Sequence, residues 1–221
     1  LSYAEVKALA SGNPLVMEKA GIDAEVAKLS LLKSQWDNQR WSNQRESATL
    51  PGRIEKLRQR IEAIEADIAD RVDVRGQRFC MVIDGQRFVD RTEAGNALVR
   101  YYVDAKARTR KIGNWKTAAG EIVVGQFAGF DLSVSIPTAG ADGPSFLLKK
   151  RRAYVAHHSD NPMGMVRVIE NVANALEGRL AEVHEYLARA EKRLADILAE
   201  LSKPFDKEER LVENQCRVRS G

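Results

Sequence analysis

The segment "IENVANALEGRLAEVHEYLARAEKRLADILAEL", from Ile169 to Leu201, decides the fold because its apolar residues recur at alternating steps of four and three. The recurring positions are Ile169, Ala173, Leu176, Leu180, Val183, Leu187, Ala190, Leu194, Ile197 and Leu201. This spacing is typical of the apolar seam of a coiled coil. It predicts one helix from about Pro162 to Ser202, roughly 60 Å long at about 1.5 Å per residue, which needs partner helices along its length.

Two earlier segments have apolar seams that can pair with this helix. Their seam residues are Ile54, Leu57, Ile61, Ile64 and Ile68 in one segment, and, less regularly, Ile22, Val26, Leu29, Leu32 and Trp36 in the other. Between the two segments, Pro51 suits the first turn of a new helix, and Ser47 or Thr49 can cap that helix. We therefore predict a helical hairpin that packs with the long helix, within one chain, as an antiparallel stalk of about three long helices. The alternative is dimerisation of two chains through the long helix.

Residues 74–164 have a different pattern, in which alternating and turn-rich sequence replaces the helical repeat. Within "RFCMVIDGQRFVD", Asp84-Gly85 predicts a hairpin of two short strands, and "RTEAGNALVRYYVDAKARTR" predicts a helix with Thr92 near its start. Paired strands are predicted in "GEIVVGQFAGFDLSVSI" and "SFLLKKRRAYVAHH". Their turns are predicted at Gly125, at Gly129 and over residues 137–144.

The predicted fold class is therefore α+β, an antiparallel helical coiled-coil stalk with an inserted small basic α+β head. The N-terminal helices and the hairpin of the stalk are assigned to residues 1–73, the head to residues 74–164, and the long C-terminal helix with a short terminal helix to residues 165–221. In "LSKPFDKEERL", Pro204 is expected to end the long helix so that the chain turns back as the short helix. Phe205 is then expected to pack locally on the stalk, and the alternative is that it docks on another protein.

Composition and cysteine content exclude several classes of protein. The 221 residues are 44% hydrophobic and 30% charged, which does not suit a disordered chain, and no apolar run approaches the ~18 residues of a membrane span. Cys80 and Cys216 indicate neither a disulfide framework nor a zinc site, so a cytoplasmic location is the simplest inference. Because the sequence begins with Leu1, we expect a piece of a longer protein.

Basic charge is concentrated in residues 74–164, where 14 Lys and Arg against 8 Asp and Glu give a net charge of +6 within a chain of net charge +4. Its richest stretch is "RYYVDAKARTRKIGNWK", in which cations alternate with aromatic residues. Cations bind phosphates and aromatic rings stack on bases, so this stretch is a candidate nucleic-acid site. The candidates are Arg100, Lys106, Arg108, Arg110, Lys111 and Lys116 for phosphate, with Tyr102 and Trp115 for stacking. The alternative is a solvated helix face with its aromatic rings in the core.

Further polar and aromatic residues leave two interpretations open. The second basic cluster either completes a groove with the first or protects an edge strand from aggregation; its members are Lys149, Lys150, Arg151 and Arg152. The polar seam residues Gln39 and Asn43 mark a helix end that is either frayed or bound to polar groups. Trp36 and Trp41 are candidate anchors for a partner protein.

No motif for catalysis is present. The sequence has no phosphate-binding P-loop, dinucleotide-binding, nucleophile-elbow, zinc-protease or adenine-methyltransferase motif. His157 and His158 are adjacent, so on a strand they would point to opposite faces and could not share a metal ion. We therefore expect no enzyme activity, no cofactor and no metal.

Five stretches together resemble a known family. They are "SYAEVKALASGNPLVMEKAGIDAEVAKL" (2–29), "VIDGQRFVDRTEAGNAL" (82–98), "GQFAGFDLSV" (125–134), "NPMGMVRVIENVANALEGRL" (161–180) and "KPFDKEERL" (203–211). In this order they resemble the C-terminal region of large superfamily-two DEAD/DEAH-type helicases of phages, plasmids and integrative elements. Such helicases are often fused to an adenine-specific DNA methyltransferase, and some are linked to antirestriction.

The resemblance implies a DNA-processing context and transfers no active-site residue, because the motifs for ATP hydrolysis and methyl transfer have no counterpart in this chain. We therefore expect a non-catalytic accessory domain. Its expected partners are DNA, bound independently of sequence, and the core of the parent helicase. The alternative is a protein-interaction or homodimerisation module that docks through the coiled coil.

Overall fold

The computed structural model of the chain describes residues 14–111, 120–136, 143–159 and 161–220. These residues form an α+β fold, as predicted, with five α-helices and six β-strands. The helices are α1 (Pro14–Ala69), α2 (Arg91–Lys111), α3 (Pro162–Asn174), α4 (Leu176–Leu201) and α5 (Glu208–Ser220). The strands are β1 (Met81–Ile83), β2 (Gln86–Phe88), β3 (Gly120–Phe127), β4 (Phe130–Ile136), β5 (Ser145–Lys149) and β6 (Ala153–Ala156).

The chain divides into two compact units. The helical unit consists of Leu1–Glu55 and Ala188–Gly221, and the sheet unit consists of Lys56–Leu187. These boundaries fall inside α1 and α4, so they differ from the boundaries expected after residues 73 and 164, where the sequence changes its pattern.

Helix α1 runs without interruption from Pro14 to Ala69, so the predicted helical hairpin is wrong. Pro51 lies inside this helix and not in its first turn. The hydroxyl groups of Ser47 and Thr49 do not cap a new helix. They donate hydrogen bonds to the backbone carbonyls three residues earlier, at 2.9 Å and 3.0 Å.

The phase of the apolar seam explains why α1 continues through Pro51. Seam residues follow one another at intervals of seven on both sides of the proline, at Asn43, Leu50, Leu57 and Ile64. Leu50 and Ile54 flank Pro51 and are only 5% and 6% exposed. Packing on both sides therefore offsets the ~3 kcal/mol that a proline costs inside a helix.

In the helical unit, α1 packs antiparallel to α4 and α5. Three contacts follow one another along α1: the Arg40 guanidinium donates to the Leu201 carbonyl at 2.7 Å, the rings of Trp36 and Phe205 lie 5.9 Å apart, and the Lys33 ammonium lies 2.5 Å from the Glu208 carboxylate. Successive residues on either side of Pro204 contact successively earlier residues of α1. Helix α5 therefore runs antiparallel to α1, in the same direction as α4. The predicted turn back is therefore wrong.

The polar residues of this seam bind polar groups and are not frayed. Arg40 donates to a carbonyl in the last turn of α4, where backbone acceptors lack helical partners and a cation is favoured. The Gln39 amide donates to Asn43 at 3.0 Å, and Asn43 is only 6% exposed. Phe205 is 8% exposed, which confirms the expected local packing.

The predicted helix from residue 162 to 202 is interrupted at one residue. Helix α3 ends at Asn174, and Ala175 has φ −95° and ψ 9°, before α4 begins at Leu176. The seam survives the break because Ala173 and Leu176 are 2% and 1% exposed. In the sheet unit, Val183 of α4 continues this seam and packs with isoleucines of α1.

The sheet of the described residues has the order β2-β1-β3-β4-β5-β6 with antiparallel neighbours. Asp84 and Gly85 have φ values of 54° and 78°, which confirms the predicted hairpin turn. Gly125 is not a turn residue: it lies at a bulge within β3, where a Cβ would come within 2.0 Å of a backbone oxygen of β1. Gly129 does form the turn between β3 and β4, and most of the turn predicted over residues 137–144 lies outside the described residues.

Helices α2 and α3 cover one face of the sheet. Helix α2 contacts β1, β3 and β4, while α3 contacts β5, β6 and α2. The two helices approach so closely that a Cβ on Gly95 would lie 2.3 Å from the Pro162 carbonyl oxygen. The core beneath them includes Leu98, Leu132 and Phe146, each 0% exposed.

Replacing Pro51 with Ala tests the continuity of α1. In a continuous helix, Pro51→Ala restores a backbone N–H that can bond the Ser47 carbonyl, so we expect the free energy of unfolding to rise by about 1–3 kcal/mol. Chemical denaturation followed by circular dichroism measures the change. The control is Gly52→Ala, with nothing within 4 Å of the added Cβ and an expected gain of about 1 kcal/mol. A loss of stability in Pro51→Ala contradicts the continuous helix, because proline is favourable only in a first turn.

Candidate nucleic-acid interface

The candidate basic stretch lies on α2, whose start is fixed by local hydrogen bonds. The Asp90 carboxylate accepts from the backbone N–H of Thr92 at 2.8 Å and of Glu93 at 2.9 Å, so Asp90 caps the helix and the predicted start near Thr92 is confirmed. The Arg91 guanidinium lies 2.9 Å from Glu170 on α3. These contacts hold the first turn of α2 against its neighbour.

One side of α2 is buried in the core. Its buried residues follow at steps of four, four and three, at Ala94, Leu98, Tyr102 and Ala105, with exposures of 0%, 0%, 9% and 0%. Residues at this spacing share one helix face, so only the positions on the opposite side of α2 point away from the sheet. The burial of this stripe therefore decides which basic residues meet solvent.

Three predicted phosphate contacts are exposed on α2: Arg100, Lys106 and Arg108. Among the described residues, Arg100 has no ion-pair partner. Arg108 pairs with Asp104 at 2.7 Å, but both side chains are about half exposed, at 54% and 49%, and such surface pairs are weak. Between Arg100 and Arg108, α2 thus exposes three cations and one carboxylate. Lys106 and Arg108 are two positions apart, so they lie on different sides of the helix.

For the remaining candidates of this stretch, the structure describes no side chain. Arg110 and Lys111 belong to α2, but only their backbone is described. Trp115 and Lys116 lie outside the described residues.

Tyr102 is not available as the predicted stacking surface, because it is 9% exposed and its ring already has a partner. The Tyr102 and His158 rings are stacked, with centroids 4.8 Å apart and planes 19° apart. His158 itself is exposed.

Strand β6 ends at Ala156, so the expectation that His157 and His158 lie on opposite faces of a strand is wrong. Sequence reasoning therefore missed the stacking of His158 on Tyr102, and the only sequence signal for it is that two histidines directly follow a predicted strand.

The second basic cluster lies on β5 and on the hairpin between β5 and β6, and its cations are largely paired. Lys149 lies 2.9 Å from Glu121, while Lys150 and Arg151 lie 3.4 Å and 2.7 Å from Asp70 at the end of α1. These contacts favour a structural role for the cluster over an extension of the interface. Arg152 contributes through its backbone.

The buried carboxylate of Asp67 makes the central contact between the β5–β6 hairpin and α1. Asp67 is 0% exposed and accepts the backbone N–H of Arg151 at 3.1 Å, the backbone N–H of Arg152 at 3.2 Å and the Tyr154 hydroxyl at 2.8 Å. Three donors satisfy a charge that would otherwise be costly to bury. Asp67 thereby holds the β5–β6 hairpin against α1.

Titration of two neighbouring groups follows from these contacts. Burial, reinforced by the bond to Asp67, raises the pKa of Tyr154, and the hydrogen bond from Arg151 lowers the pKa of Asp70. Because the pKa of Asp70 is below its unfolded value, the contribution of this pair is present at neutral pH. It is lost as pH falls through the lowered pKa.

The comparisons identify no relative: no protein-family model, no curated protein and no solved structure matches the chain. Among the described helices, none has a stretch apolar enough and long enough to cross a lipid bilayer. Within the same residues, no three His, Cys, Asp or Glu side chains form a group that could hold a metal ion.

Replacing Asp67 with Asn tests the structural role of the second cluster. The amide keeps the size of the side chain but offers one acceptor oxygen to three donors, so we expect the free energy of unfolding to fall by about 2–3 kcal/mol. Thermal and urea unfolding measure the loss. Asp70→Asn is the matched control, and its effect should be clearly smaller because Asp70 is exposed. Equal losses in the two variants contradict the central role of Asp67.

Proposed function

We propose that this chain is a non-catalytic accessory domain of a mobile-element DNA helicase, acting in the cytoplasm, and that α2 holds the DNA backbone independently of sequence. The observation that supports this most directly is the exposure of Arg100, Lys106 and Arg108 on a helix whose opposite side is in the core. The five separated stretches that resemble helicase C-terminal regions support the DNA-processing context.

Electrostatics favour contact with phosphate over contact with base edges. Residues 74–164 carry a net charge of +6, and three cations of the second cluster are paired with carboxylates, so α2 is the better candidate of the two basic clusters for contact with phosphate. Each phosphate neutralised by Lys or Arg releases condensed counterions, which gives affinity without reading sequence.

The continuous heptad phase of α1 supports the finer part of the fold prediction. We propose that α1 pairs with α4 and α5 as an antiparallel coiled coil with a partly polar seam, in which Arg40 and Asn43 fix the register. Polar residues at seam positions specify register at some cost in stability. In this proposal the helices serve as the docking element for the core of the parent helicase.

Removing the exposed cations of α2 tests the DNA proposal. We expect Arg100→Ala/Lys106→Ala/Arg108→Ala to weaken binding of a labelled DNA oligonucleotide and to reduce the slope of log affinity against log salt by up to about 3. Fluorescence anisotropy across a salt series measures both quantities.

The matched control removes three exposed cations from α1, in the variant Arg53→Ala/Lys56→Ala/Arg60→Ala. It changes net charge equally, so its salt slope should stay close to that of the unmodified chain. The proposal fails if DNA binding is undetectable at low salt, or if the two triple variants lose the same affinity.

A second candidate function is association of two copies of the chain through the helical unit. The observation that favours it is Trp41, which is 58% exposed and has the Arg45 guanidinium 4.7 Å from its ring centre. Exposed tryptophans are over-represented among the residues that dominate protein interfaces.

Light scattering coupled to size exclusion tests this second function. If two copies associate through Trp41, the mass should rise toward twice 24.6 kDa with concentration, and Trp41→Ala should return it to the monomer. The control Trp36→Phe alters a tryptophan already packed on Phe205 and should leave association unchanged. A monomer at all concentrations contradicts the homodimer.

A further inference from the structure

The exposed ring of His158 lies against the buried ring of Tyr102, beside the basic residues of α2. We propose that His158 is a stacking platform for an unpaired nucleobase, and that the nucleic acid bound by this chain is single-stranded DNA. The inference rests on the function proposed above and specifies its substrate.

The geometry of the ring pair is that of a preformed stacking surface. The centroid distance of 4.8 Å and the interplanar angle of 19° place the two rings in a parallel stack. Tyr102 belongs to the buried stripe of α2 and is 9% exposed, so it is the fixed member of the pair. His158 is the exposed member, and it is therefore the ring that a ligand can reach.

Burial of Tyr102 gives the platform its rigidity. An exposed side chain normally loses rotamer freedom when a ligand orders it, and this loss reduces affinity. The stack on Tyr102 already restricts the His158 ring, so less freedom remains to be lost when a base stacks on it. A stacking site of this kind accepts any base, because every base has a π face.

Charge lies next to this ring pair. The Lys106 ammonium is 5.9 Å from the Tyr102 ring centre, one helical turn along α2, and Lys106 is exposed. A strand whose base stacks on His158 would therefore place its backbone near the proposed phosphate contacts. Stacking rings beside cations are the usual combination in proteins that bind single strands.

The same arrangement does not suit a duplex as its preferred ligand. In duplex DNA the bases are stacked on one another, so a protein ring reaches a base face only after unstacking it, which costs a few kcal/mol per step. A phosphate contact alone would not discriminate between the two forms. Preference for the single strand is thus the property that His158 should confer.

The test compares His158→Ala, His158→Phe and the matched control His157→Ala, the adjacent exposed histidine. The probes are a labelled oligothymidylate, an abasic oligonucleotide of the same length and a duplex of the same length. We expect His158→Ala to weaken oligothymidylate binding roughly fivefold or more. It should leave the affinity for the abasic strand and for the duplex unchanged.

His158→Phe separates stacking from charge, because phenylalanine keeps a ring and has no proton to gain. It should bind oligothymidylate at least as tightly as the unmodified chain, and His157→Ala should match the unmodified chain on all three probes. Unfolding curves of the four proteins confirm that each is folded.

Each result has a defined meaning. If His158→Ala binds oligothymidylate as tightly as His157→Ala, or if the unmodified chain does not distinguish oligothymidylate from the abasic strand, the stacking platform does not exist. Binding of the abasic strand and the duplex in that same experiment leaves the phosphate contacts of α2 intact. Failure to bind any probe at low salt overturns both proposals.

Discussion

The burial of one side of α2 is the constraint on which the proposed function depends. Ala94, Leu98, Tyr102 and Ala105 can lie in the core only if the helix presents its other side to solvent. That choice exposes Arg100 and brings Tyr102 under the ring of His158. Burial of this apolar face, driven by removal of apolar surface from water, therefore determines both which cations are exposed and where the stacked ring pair forms.

Features coded by neighbouring residues could be predicted from the sequence. Asp84-Gly85 specifies its hairpin because both residues tolerate positive φ, and the start of α2 near Thr92 is fixed by a cap two residues away. The α+β class followed from the change between a helical repeat and alternating strands. For the candidate site, the exposure of Arg100, Lys106 and Arg108 agrees with the spacing of the apolar residues along α2.

Features that depend on distant partners could not be predicted in this way. Pro51 has the local appearance of a helix start, yet the seam keeps its seven-residue phase through it. In the sequence, the cations of the second cluster resemble a binding surface. In the structure, their hairpin is held by Asp67, which lies 84 residues before Arg151. The pairing of Tyr102 with His158 joins a helix to the end of a strand. Nothing in either segment alone specifies that contact.

The most direct test of DNA binding by α2 and His158 maps the bound surface. Backbone amide signals of the ¹⁵N-labelled chain are recorded by NMR while oligothymidylate is added at low salt. If single-stranded DNA binds at α2 and His158, the largest changes fall on α2 from Arg100 onward and around His158, with the β5–β6 hairpin little affected. Changes centred on the Lys149–Arg152 cluster, or changes confined to the helical unit, would contradict it.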